Sequence, residues 1–142
     1  MAPTKYGQYI VKDFIRESRH EKVIVPSVNF NGETCGANFS FRWSFISAPF
    51  QMINEPHKHD FDQVLGFLGG NPMDIGDFRA EVEFWLEGEK QTINTATFIR
   101  IPKGLSHGPL NFKRIDLPIQ FLDMPLSPGY SRVGHPEITS IP

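Results

Sequence analysis

Residues 38–47 read Asn-Phe-Ser-Phe-Arg-Trp-Ser-Phe-Ile-Ser. On an extended backbone successive side chains point to opposite faces, so Phe39, Phe41, Trp43 and Phe45 share one side and Ser40, Arg42 and Ser44 the other. That is a half-buried β-strand, with the aromatic side expected in the core and Arg42, between two serines, expected to face water. Outward from it, further β-like runs are Val23–Val28 (interrupted by Pro26), Val64–Leu68, Ala80–Leu86, Thr92–Ile101 and Ile119–Met124. Turn clusters separate them: Asn31-Gly32, Gly69-Gly70-Asn71-Pro72, Glu87-Gly88-Glu89-Lys90 and Pro102-Lys103-Gly104. Short strands with regular turns and no long helical period predict an all-β sandwich or barrel.

The 142 residues fit a single domain, expected to span 1–142. Residues 1–20 read as an N-terminal arm in which Asp13–Arg19 forms either a short helix or a segment lying on a partner subunit. Residues 125–142, rich in proline, read as an extended tail. Fourteen basic against sixteen acidic side chains give a net charge of −2, without the basic footprint that a nucleic-acid backbone requires. No run of about 18 apolar residues exists to cross a bilayer, and residues 1–14 lack the apolar stretch of a secretory signal. The single Cys35 can form neither an internal disulfide nor a paired-thiolate zinc site, which predicts a reducing, cytoplasmic setting.

The chemistry concentrates in Glu55-Pro56-His57-Lys58-His59-Asp60-Phe61-Asp62-Gln63. His57 and His59, two apart on an extended chain, project to the same side with Cα atoms about 6.5–7 Å apart, so both imidazoles can converge on one ion. Gln63 joins them only if Asp60-Phe61-Asp62 turns the chain back. A third imidazole, His107, follows the Pro102/Gly104 turn where the chain re-enters a strand.

These two segments resemble the paired motifs of the cupin superfamily. The first motif, Gly-x5-His-x-His-x3–4-Glu-x6-Gly, is met by His57, His59, Gln63 and Gly70; the second, Gly-x5-Pro-x-Gly-x2-His-x3-Asn, by Pro102, Gly104, His107 and Asn111. Gln51 and Ala96 stand where the leading glycines fall, and Gln63 stands where that family usually carries a carboxylate. The resemblance implies a double-stranded β-helix, a jelly-roll-like barrel, holding one divalent ion (Fe, Zn, Mn or Ni) through His57, His59 and His107, with Gln63 as a fourth ligand. By the same analogy it implies a homodimer.

An amide ligand brings no charge, so the ion would keep its full +2 within a neutral protein shell and act as a stronger Lewis acid. Replacing Gln63 by Glu would then tighten metal retention and weaken that acidity. The expected activity is non-redox chemistry of a lyase, isomerase or hydratase kind on a small oxygenated organic acid. The alternatives are an Fe(II)-dependent dioxygenase, which three-His cupins also resemble, and a non-catalytic small-molecule-binding barrel. The ordinary reading of Glu81 and Glu83 is acids facing water; the functional one puts Glu83 or Glu81 inside as a general base, with Glu55 as a further candidate. If the aromatic face of residues 39–45 instead packs outward, Arg42 turns in and can pair with a substrate carboxylate. Asp60 and Asp62 are expected to cap the turn, and His20 and His135 carry no assigned role.

Overall fold

The computed structural model describes residues 4–17 and 23–129. Among these, ten strands form two antiparallel sheets: β1 (Ile15–Arg16), β2 (Val23–Phe30), β3 (Phe41–Ile46), β4 (Phe50–Ile53), β5 (Gln63–Gly69), β6 (Ala80–Leu86), β7 (Glu89–Ile93), β8 (Thr97–Ile101), β9 (His107–Ile115) and β10 (Ile119–Pro125). One sheet runs β1-β2-β3-β10-β5-β8, the other β4-β9-β6-β7. The chain is all-β, a jelly-roll-like sandwich closed around one core.

Each strand follows from local chemistry. Pro26 donates no backbone hydrogen bond, and β2 absorbs it in a register shift between Ile24 and Val28, so the run continues to Phe30. The run expected as one strand over 92–101 is two strands in different sheets. It breaks at Asn94-Thr95-Ala96, and β7 pairs with β6 while β8 pairs with β5. Strand β4, four residues long, is too short to show a periodicity in the sequence and is held by pairing with β9. The described part of the N-terminal arm contains a single 3-10 turn, Gly7–Tyr9, and β1, whose Ile15 and Arg16 pair with Val28 and Ser27. No α-helix forms there among the described residues, and most of the proposed tail, 130–142, lies outside them.

The core is built from both inner faces. Ile46, Leu65, Phe67, Ile101, Ile119 and Phe121 come from the larger sheet; Met52, Val82, Phe84, Leu110 and Phe112 come from the smaller one. Phe112 links the layers, its ring centroid 5.7 Å from Phe121 and 5.5 Å from Phe50. The turn after β5 needs a glycine at 70, because a Cβ there would overlap the carbonyl oxygen of Pro118, a backbone atom with no freedom to swing away.

Strand β3 is inverted relative to expectation. Arg42, Ser44 and Ile46 point inward, whereas Phe41, Trp43 and Phe45 lie on the outer face, with Trp43 38% exposed. The reason is cross-strand: Ser44 stands opposite Phe121 and Arg42 opposite Asp123, so this side of β3 faces a ring at one level and a buried carboxylate at the next. Outside, the register sets Ile15, Val28, Trp43, Leu122, Gly66 and Phe98 in one apolar row across all six strands. Among the described residues no helix is long and apolar enough to cross a membrane.

Candidate metal centre

The three histidines meet although 48 positions separate the second from the third. His57 and His107 form an isolated antiparallel bridge: the N–H of each donates to the carbonyl of the other at 2.9 Å. That pair of backbone bonds brings the first motif against the start of β9. The ring centroids lie 4.8 Å apart for His57–His59, 4.4 Å for His57–His107 and 5.0 Å for His59–His107. One nitrogen from each ring falls within 4.8 Å of the others. Two nitrogens bound to one ion at about 2.1 Å are about 3.0–3.4 Å apart, which small ring rotations reach.

Ring chemistry favours coordination. His107 Nδ1 lies 2.9 Å from the carbonyl of Leu105, which can only accept, so the proton sits on Nδ1 and the lone pair on the buried Nε2. His59 is 2% exposed and stacks on Phe61, which fixes its plane.

Asp60-Phe61-Asp62 does turn the chain, and Gln63 at the start of β5 lines the same cavity as His57 and His107. Its Nε2 donates to Asp123 Oδ1 at 2.5 Å, while its Oε1 is buried without a hydrogen-bond partner. A buried carbonyl oxygen left unmatched is costly, and a cation would satisfy it. The residues therefore fit one divalent ion held by three nitrogens and an amide oxygen. The cavity has about 30 Å³ of room for water, enough for an ion with one or two small oxygen ligands. Met52, Leu65, Phe84, Leu110 and Phe121 supply its apolar wall.

Asp123 is the functional candidate missed in the sequence. Burial pushes its carboxyl up to about 6, against the hydrogen bond from Gln63 and the charge of Arg42, both of which pull it down. A signal was present: in Ile119-Gln120-Phe121-Leu122-Asp123 the acid shares the face of Ile119 and Phe121. Arg42 is buried, as the alternative reading of its strand requires, but it faces Asp123 on the neighbouring strand. A carboxyl therefore stands one hydrogen bond behind Gln63, with the Arg42 charge beside it.

Asp62 clasps the two motif segments. Its carboxylate accepts from the Lys103 N–H at 2.8 Å and from Arg100 at 2.9 Å, and Gly104 N–H donates to the His59 carbonyl at 2.9 Å. Those two donors hold the Asp62 carboxyl below the usual carboxylate range, the Lys103 N–H having the larger effect. Asp60 makes an ion pair with Lys103 at the rim.

The acids proposed as bases lie elsewhere. Glu81 and Glu83 are on the outer face of the smaller sheet, because β6 turns Val82 and Phe84 into the core. Glu81 pairs with Lys113 at 3.1 Å; Glu83 accepts from Asn111 at 3.1 Å and from Lys90 at 3.4 Å. Glu55 has an exposed side chain, and only its carbonyl approaches His57 Nδ1, at 3.5 Å. The Asn111 amide, then Lys90 and Lys113, hold the Glu83 carboxyl below its ordinary value. A depressed folded-state value contributes stability above the ordinary carboxylate range that is lost as pH falls through the depressed one. Glu83→Gln should accordingly show a shallower acid loss of melting temperature than wild type, with metal content unchanged. Melts stepped from pH 7 to 3 test this; parallel curves would show that the contact carries no pH-linked stability.

No protein-family model matches the chain, nor does any curated protein. Solved structures do. An RmlC-like cupin from Shewanella frigidimarina, 14% identical, covers 82% of this chain and 85% of its own at a TM-score of 0.52. A cupin superfamily protein from Desulfitobacterium hafniense, 11% identical, covers 79% and 84% at 0.52. The cupin domain of an XRE family transcriptional regulator from Enterobacter cloacae, 15% identical, covers 74% and 96% at 0.50. With its two antiparallel sheets and both motif segments lining one cavity, this chain has the fold seen in these cupin structures.

Proposed function

We propose that the chain is a divalent-metal-dependent enzyme performing non-redox proton-transfer chemistry, of a lyase, isomerase or hydratase kind, on a small oxygenated organic acid. His57, His59, His107 and Gln63 Oε1 hold the ion, which supplies Lewis acidity toward a carbonyl or hydroxyl oxygen of the substrate. Asp123 takes the role first sought among the glutamates. Its carboxyl lines the same cavity, where it is placed to take and return a proton of a bound substrate. Arg42 behind it balances the charge. The largely apolar wall lowers the dielectric around the polar groups that line the cavity. The observation that supports this reading is a buried carboxyl lining the same cavity as His57 and His107, two members of the three-histidine cluster.

Two other readings have some support. A three-histidine site also suits an Fe(II) dioxygenase. The likeness to a regulator's cupin domain suits a barrel that binds a small molecule without turning it over. One experiment separates all three: protein loaded with Zn(II), Ni(II), Mn(II) or Fe(II) is incubated with a panel of small hydroxy and keto acids in deuterated water, with and without air. The proposal expects deuterium incorporation or isomerised product in anaerobic samples with more than one ion. Product only from the aerobic iron sample would establish the dioxygenase, and saturable binding with neither exchange nor product would establish the binding module.

A further inference from the structure

The Gln63–Asp123 contact fixes which end of the amide is left without a protein partner beside the cavity that His57 and His107 line. Glutamine carries a donor and an acceptor at the tip of one side chain, and their placement is decided by what each end meets. Behind Gln63 stands Asp123, whose Oδ1 accepts from Nε2 at 2.5 Å; in front, Oε1 is buried in the cavity wall without a hydrogen-bond partner. Arg42, opposite Asp123 on the adjacent strand, places a buried positive charge on the far side of the carboxyl. The three side chains sit at the starts or ends of β3, β5 and β10, all in the larger sheet, so strand pairing fixes their spacing.

We propose that Asp123, besides its part in proton transfer, is also a positioning residue: through one carboxyl oxygen it holds Gln63 with its carbonyl oxygen toward the cavity that His57 and His107 line, so that the negative charge usually carried by a ligand at this place is set one hydrogen bond back. The proposal rests on the metal reading for its purpose, but the orientation itself is a property of the protein alone. It corrects the expectation that Gln63→Glu tightens metal retention. With Asp123 in place, a glutamate at 63 would set two carboxylates in hydrogen-bond contact with no N–H between them, and one would have to keep a proton. The pair works when one member donates and the other accepts, and it should therefore tolerate exchange: Glu at 63 with Asn at 123.

The test compares wild type, Asp123→Asn, Gln63→Glu and the double variant at pH 8. In metal-free protein, the side-chain amide protons of Gln63 are assigned by their loss in Gln63→Glu. One of them should be shifted downfield and slow to exchange in wild type, and should move on Asp123→Asn while the backbone spectrum of the sheets is retained. Co(II) affinity, measured by titration with the metal alone, should fall about 10–100-fold in Asp123→Asn, the range typical of losing a group that orients a ligand. It should fail to rise in Gln63→Glu and recover to at least the wild-type value in the double variant. A Gln63 amide signal indifferent to Asp123→Asn overturns the proposal, as does a double variant no tighter than Asp123→Asn. If wild type takes up no Co(II) while the amide signal behaves as described, the metal reading falls and the positioning role stands.

Discussion

His57→Ala should strip the protein of its metal while leaving the barrel standing. The imidazole is one of three that meet within 4.8 Å, and two histidines with an amide oxygen make a far weaker donor set. The loss should exceed the roughly 10–100-fold that follows removal of a group behind a ligand. Stability is another matter. His57 lies outside the ten strands, and its contribution to the architecture is the backbone bridge to His107, which alanine makes equally well. Its ring is only partly buried, so truncation leaves no large sealed void. Elemental analysis of purified wild type and variant should therefore show about one ion per chain against almost none, with metal-free melting curves nearly superimposed. Equal metal content in both would remove the cluster from the function.

Phe112→Ala should have the largest effect on stability. The ring is fully buried between the sheets, in contact with Phe50, Phe121 and Phe67, whose centroids lie 5.5, 5.7 and 6.4 Å away. These neighbours belong to β4, β10 and β5, fixed by their own pairings, so they cannot collapse into the space. Buried Phe→Ala changes cost about 3–5 kcal/mol, a large part of the ~5–15 kcal/mol that holds a domain together. At this chain length that is a drop of roughly 10 °C in melting temperature. Denaturant and thermal melts measure it; a loss under about 1 kcal/mol would mean that the sheets repack freely and that the core is softer than its ring contacts indicate.

Much of this was legible in the sequence, and the parts that were not have a common cause. Alternation located β3 and β6, and β-like runs bounded by turn clusters located β5 and β10. Strand geometry paired His57 with His59, and the resemblance of the two segments to the cupin motifs joined His107 to them. Alternation separates two faces without saying which is inside. On β3 the answer came from Asp123, 81 positions beyond Arg42, and a single strand cannot report its partner. The same blindness hid Asp123 as a buried acid of the cavity and left open whether Glu81 and Glu83 faced in or out, since their partners, Lys90, Lys113 and Asn111, lie on other strands. The change of sheet between β7 and β8 is also a tertiary choice, marked only by three unremarkable residues.

The backbone bridge between His57 and His107, with the Asp62 clasp beside it, ties the imidazoles together through amide and carboxylate contacts that owe nothing to a cation. A scaffold assembled in this way spends none of the ion's affinity on ordering the polypeptide, in contrast to zinc fingers, where folding and loading are one event. Under the metal reading proposed above, exchange of one divalent species for another would need no refolding, and occupancy would follow intrinsic preference and the mineral supply around the cell. On that reading, two populations grown on different trace-element diets would carry the same polypeptide with different reactivity.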